Sequence, residues 1–181
     1  MTKWAGPALV VALASCGGAP SAPAPAANTI TSNDFETLLG WGDDYQNPSL
    51  TQEKAHSGAH SLVVKPGLDF SLNYTSLLGA MCPSRPTRLK LQAWAYVPGN
   101  QATAKLVVEI LDPRHLEGDK LLWQGIELNK EVKRYHSWQL VEKSIPIPPA
   151  VNAASLFKLY LWRAGSPEPV YVDDIKLERG E

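Results

Sequence analysis

One stretch of ten residues limits the fold of this chain more than any other. From position 88 to 97, Leu89, Leu91, Ala93, Ala95 and Val97 take every second place, and Lys90, Gln92, Trp94 and Tyr96 take the places between. Successive side chains of a strand point to opposite faces, so this pattern predicts a strand with one buried face, not a helix. Further runs rich in Leu, Val, Ile and aromatics occupy positions 62–64, 105–111, 138–141, 156–162 and 170–177. Turn formers separate them: Pro98-Gly99-Asn100, Glu117-Gly118-Asp119, the prolines between 146 and 149, and Gly165-Ser166-Pro167. Short strands punctuated in this way predict an all-β fold, an antiparallel β-sandwich. No helix of ordinary length is predicted; residues 129–135 have no apolar stripe and allow a turn or two.

The strands begin only after position 27. Before them lie Lys3, a short apolar stretch from 4 to 13, and then Ala14-Ser15-Cys16. About ten apolar residues are too few to span a bilayer, which takes roughly twenty. A charge, an apolar stretch and small residues before a cut are the three parts of an export signal. Leu13-Ala14-Ser15-Cys16 resembles the lipobox of bacterial lipoproteins. That resemblance implies cleavage before Cys16, lipid on its thiol, and a place in the bacterial cell envelope. Gly17 after the cysteine points to the outer membrane, and the leaflet stays open. Residues 17–27 read GGAPSAPAPAA, without charge or large apolar side chains, which predicts an extended tether. The organisation expected is therefore a signal peptide over 1–15, a lipidated cysteine and tether over 16–27, and a β-sandwich domain over 28–181.

About 150 residues suffice for one domain with its own core. The chain has 17 basic and 18 acidic residues, and loss of Lys3 with the signal leaves 16 against 18. Such a balance argues against nucleic acid as a partner. There are two cysteines. With Cys16 lipidated, Cys82 has no partner, and disulfides cannot staple the fold. Cys82 lies in Ala80-Met81-Cys82-Pro83 with no histidine near in sequence, so a buried structural thiol is expected.

Three segments in order carry a second resemblance. They are Asn33-Asp34-Phe35-Glu36 followed by Trp41, then Ala55-His56-Ser57-Gly58-Ala59-His60-Ser61-Leu62, and last Val170-Tyr171-Val172-Asp173-Asp174-Ile175. Together they resemble the carbohydrate-binding jelly-rolls of the galactose-binding-like type, where they form the first strand, a hairpin into the next strand, and the last strand. First and last strands adjacent in one sheet would bring Glu36 near Asp173 and Asp174. The resemblance implies a structural calcium there, with Glu36 and Asp173 as the first ligands and Asp34 and Asp174 as the second. Calcium takes six to eight oxygens, and carboxylates that crowd together need a cation or other donors. The other reading has these acids capping strands and meeting Lys or Arg.

Flat aromatic rings accept the C–H faces of sugars, and polar neighbours then bond the hydroxyls. Trp94 and Tyr96 share a strand face with Gln92 and Lys90; Tyr160 and Trp162 share another, with Arg163 next; Trp123 follows a loop. Gln92, Trp94, Tyr96, Trp123, Tyr160, Trp162 and Arg163 are the candidate ligand residues. Periodicity leaves open whether Trp94 faces solvent or fills the core, and Trp138 reads as structural. No nucleophile elbow, HExxH or phosphate loop is present. His56 and His60 flank a glycine turn, and Asp43, Asp44 and Glu109 form no placed pair. The expected function is non-catalytic glycan binding in the envelope. The alternative is an adaptor lipoprotein that contacts a protein partner through the same sandwich.

Overall fold

The computed structural model describes residues 1–2, 28–42, 44–114 and 120–180. The predicted signal, Cys16 and the tether lie outside the described residues, apart from the first two positions. Among the described residues, no helix is long and apolar enough to cross a membrane.

Among the described residues, ten strands and two four-residue helices follow one another: β1 (Thr29–Asn33), β2 (Leu50–Thr51), β3 (Ser61–Val64), β4 (Phe70–Leu77), α1 (Leu78–Met81), β5 (Arg88–Tyr96), β6 (Lys105–Leu111), β7 (Leu122–Glu127), α2 (Leu128–Glu131), β8 (Trp138–Pro146), β9 (Leu156–Trp162) and β10 (Val170–Gly180). They form two antiparallel sheets. One has the order β2-β3-β10-β5-β8 with β1 also on β10, and the other has the order β4-β9-β6-β7. β10 organises the larger sheet. β3 pairs with its residues 170–172 and β1 with 175–178, while β5 runs along its other edge. First and last strands are thus neighbours, as expected.

The alternation predicted for β5 holds. Leu89, Leu91, Ala93 and Ala95 are fully buried, and Lys90, Gln92, Trp94 and Tyr96 face outward in partial exposure. Leu106, Val108 and Ile110 of β6, and Phe157, Leu159 and Leu161 of β9, meet them in one core with Leu62, Val172 and Leu177. Removing such area from water contributes about 25 cal/mol per Å². The segment after β1 adds Phe35, Leu38 and Trp41; Phe35 and Trp41 meet edge to face at 5.3 Å.

Strands β6 and β9 have the predicted bounds, and β8 and β10 run further than predicted. The expected first strand shifts: β1 ends at Asn33, whose side-chain oxygen accepts the Phe35 N–H at 2.6 Å. That turn places Phe35 at φ 60° and sends its ring into the core. β4 and β7 were not predicted. In β4 a register shift between Phe70 and Asn73 buries Ser71 and Leu72 together, which breaks alternation. In β7 Gly125 interrupts the apolar run. Cys82 is a buried free thiol, and burial pushes its pKa up, as a structural role requires.

Candidate ligand-binding faces and a carboxylate clamp

Glu36, Asp173 and Asp174 all meet the hairpin between Ala55 and Ser61. Asp173 has no exposed surface; its carboxylate accepts the N–H groups of His56 at 2.8 Å, Ser57 at 3.2 Å and Asp174 at 2.7 Å. Asp174 takes the Ser57 hydroxyl at 2.7 Å and lies 2.5 Å from His56 Nδ1. Glu36 accepts the N–H groups of Ala59 and His60, both at 2.7 Å, with His60 Nδ1 at 3.3 Å. Those N–H donors hold the Glu36 carboxyl below its ordinary range, while burial pushes Asp173 up. Asp34 stands apart, with its carboxylate accepting the Glu36 N–H at 3.2 Å. His56 and His60 go to different acids, so they are not a metal pair.

Glu36, Asp173 and Asp174 thus form a hydrogen-bonded clamp on the hairpin. Among the described residues, no three His, Cys, Asp or Glu side chains gather to hold a metal. Calcium needs a shell of oxygens. Here N–H and O–H donors reach oxygens of Asp173, Asp174 and Glu36, and the calcium that the motif order implies stays an expectation. Strand and turn geometry serve the clamp. Asp174 has φ 46° at the register break of β10. Gly58 has φ 55°, and a Cβ there would collide with the Glu36 carboxylate.

The aromatic candidates fall on two opposite faces. On the outer face of the six-stranded sheet, strand register gives a row Tyr171-Tyr96-Trp138 and a row Asp173-Trp94-Leu140. Trp94 faces outward, which settles its orientation, but the His56 ring lies flat on it at 3.8 Å and 13°. The Lys54 ammonium sits 4.8 Å from the Tyr96 ring centre. Gln92 donates to Glu142 at 2.6 Å. These three candidates are already covered or engaged.

On the outer face of the four-stranded sheet, register gives three rows: Phe70-Trp162-Lys105-Glu127, Asn73-Tyr160-Val107-Gly125, and Thr75-Lys158-Glu109-Trp123. Rings touch across the strands. Trp162 lies 6.4 Å from Phe70 with planes 10° apart, and 6.1 Å from Trp123 at 78°; Phe70 meets Tyr160 at 5.9 Å. Phe70 is 56% exposed and Trp123 39%. Val107 faces outward yet has no exposed surface, because it lies low in the row between the rings. Beside the strip runs an open groove of about 200 Å³, lined by Phe70, Ser71, Asn73, Glu109, Lys158 and Tyr160.

Glu109 is the polar centre of that groove. Its side chain is nearly buried and accepts Lys120 Nζ at 2.7 Å and the Tyr160 hydroxyl at 2.9 Å. Burial, and next the Glu109 carboxylate, push the Tyr160 pKa from 10.0 to about 12. Lys158 makes no ion pair with a described residue. Arg163 is engaged elsewhere: its Nε donates to Asp69 at 2.5 Å and its Nη1 to the Ser166 carbonyl at 3.0 Å, so it fixes the end of β9. Of the sequence candidates, Trp123, Tyr160 and Trp162 lie on this face, and Phe70, Asn73 and Lys158, which were not candidates, lie beside them. Phe70 and Asn73 lie on the unpredicted β4. Glu109 carried a signal, as one charge inside an apolar run.

No protein-family model matches the chain, and no curated protein does. Solved structures do. The CBM22-1 xylan-binding domain of Paenibacillus barcinonensis Xyn10C has a TM-score of 0.54 at 16% identity, over 86% of this chain and 97% of that one. The CBM22-1-CBM22-2 tandem domain of the same protein gives 0.58 at 16% identity, over 91% and 52%. The CBM22-1-GH10 modules of Clostridium thermocellum xylanase 10B, complexed with xylohexaose, give 0.54 at 16% identity, over 85% and 29%. The fold is therefore a jelly-roll β-sandwich of the carbohydrate-binding-module type. The resemblance stated from the three motifs is borne out at the level of fold.

Three outcomes follow for stability and titration. Gly58→Ala should destabilise by about 2 kcal/mol in urea unfolding, from left-handed strain and the clash with Glu36. EDTA should leave the melting midpoint of the native chain where it is in calcium. A midpoint that falls in EDTA would show that the clamp takes a cation. Tyr160 is raised above its unfolded value, so its contribution is complete below pH 10.0 and is lost as pH climbs toward about 12. Ultraviolet titration should show late phenolate ionisation that Tyr160→Phe reduces; a loss confined to the ordinary range near pH 10.0 would contradict the Glu109 bond.

Proposed function

We propose that this chain is a non-catalytic glycan-binding domain, and that the glycan lies along the outer face of the four-stranded sheet. The observation that carries this reading is the strip Phe70-Trp162-Trp123 beside a groove holding Glu109, Lys158 and Asn73. Exposed ring faces receive the apolar face of a pyranose, and the carboxylate, ammonium and amide bond its hydroxyls. An open groove suits a chain that continues past both ends. Glycoside hydrolysis uses two placed carboxylates. Among the described residues lining this groove, Glu109 is the one acid, and it is tied to Lys120 and Tyr160. The similarity to xylan-binding domains supports the reading and makes β-1,4-xylan the first polysaccharide to try.

The domain is held at the bacterial envelope, on the outer membrane, by lipid on Cys16. The support is Leu13-Ala14-Ser15-Cys16 and the proline-rich segment after it. A lipid anchor with more than one chain gives stable membrane attachment. Cys16→Ser should move the protein from the membrane to the soluble fraction, and a membrane-bound variant would refute the anchor.

Affinity electrophoresis against xylan, glucan, mannan and galactan tests the ligand face. Trp162→Ala and Phe70→Ala should each weaken binding about tenfold, the loss of one stacking contact of about 1 kcal/mol or more. Trp94→Ala should leave it unchanged. Binding lost with Trp94 and kept without Trp162 would place the glycan on the wrong sheet. Binding to no polysaccharide would end the glycan reading.

A further inference from the structure

The outer face of the six-stranded sheet carries a second groove that the glycan strip does not use. Its volume is about 350 Å³, and Trp94, Trp138, Gln139 and Leu140 form its floor and side. The end of α2 and the segment after it form its other wall with Glu131, Lys133 and Arg134. Leu140 is 52% exposed, and Trp138 is partly exposed at the open edge strand. A smaller groove of about 250 Å³ lies beyond the Tyr96–Trp138 ring pair, with Lys54, His136 and Tyr171 in its lining.

Charge is what sets this face apart. Lys133 and Arg134 are exposed and make no ion pair with any described residue. The Lys54 ammonium has the rings of Tyr96 and Tyr171 beneath it, makes no ion pair with a described residue, and helps lower the Glu53 pKa through its charge. Of the nearby acids, Glu53 is taken by the Tyr171 hydroxyl at 2.7 Å and by Lys65. Among the described residues, Glu131 is then the single acid lining the larger groove, against two cations. Unpaired guanidinium and ammonium groups beside tryptophan rings call for an anion attached to a flat, partly apolar body.

We propose that this groove is a second ligand site, and that it takes an acidic oligosaccharide carrying carboxylates. A sugar ring packs on Trp138 beside Leu140, and Arg134 with Lys133 receives the carboxylate. Arg134 can meet it with two parallel N–H donors, which a neutral sugar does not reward. The site stands on the opposite side of the sandwich from the glycan strip and does not depend on it. Two faces with different charge let one domain hold a neutral chain and an acidic one together.

The test titrates oligogalacturonate, and the same oligomer fully methyl-esterified, into the folded domain by calorimetry at low salt. The acidic oligomer should bind, and esterification should weaken it about tenfold or more, the loss of charge-assisted hydrogen bonds. The double variant Lys133→Gln with Arg134→Gln changes exposed side chains and should fold normally; it should lose the same factor. Trp162→Ala should change nothing here. The proposal is overturned if the acidic oligomer does not bind, if the ester binds equally, or if Trp162→Ala abolishes binding. Equal binding of a polyglutamate peptide would overturn it too, because the site would then be selecting charge on any chain. Neutral-glycan binding lost through Trp162 tests the other face, so the two readings fail separately.

Discussion

Asp173 lies without exposed surface in the middle of the larger sheet and accepts three backbone N–H groups, two of them from the hairpin at Ala55–Ser61. Leaving such donors unpaired in a dry interior costs about 1–3 kcal/mol each. The hairpin therefore cannot leave without exposing its own backbone to a loss. Asp174 and Glu36 add to the same grip from either side. Through this contact the last strand, the hairpin and the turn after the first strand become one unit. The hairpin in turn lays His56 on Trp94 and Lys54 over Tyr96. The clamp thus decides which aromatics of the larger sheet are covered, and leaves the open rings to the smaller sheet.

Alternation has a further consequence. Each strand has one face for the core and one for the outside, so a two-sheet sandwich presents two separate outer surfaces. On one, Lys54 caps Tyr96 and Tyr171, His56 covers Trp94, and Gln92 is locked to Glu142. On the other, rings lie edge to edge in an exposed strip around a nearly buried carboxylate. The same residue types therefore do different work, according to which sheet their strand joins.

Much of this was legible in the chain. Positions 88–96, 105–111 and 156–162 alternate or run apolar, and all three are strands. The order of three short motifs pointed to the jelly-roll. What was not legible has physical causes. β4 carries Ser71, Asn73 and a register shift, and β7 carries Gly125, so periodicity failed in both. Phe70 was lost with β4. Alternation sorts residues onto faces of one strand, but strand pairing decides which sheet that strand enters. That is why Trp94 and Trp162 looked equivalent in sequence and lie on opposite sides. The acids of the clamp were found, yet their partners are backbone N–H groups, which no side-chain pattern reveals.

The most direct measurement is a titration of the indole N–H resonances. Five tryptophans lie in the described residues: Trp41, Trp94, Trp123, Trp138 and Trp162. With the neutral oligosaccharide that binds best, the resonances of Trp123 and Trp162 should shift in proportion to binding. Those of Trp41, Trp94 and Trp138 should stay in place. Shifts confined to Trp94 and Trp138 would contradict the account, because the ligand would then lie on the sheet whose rings the clamp covers.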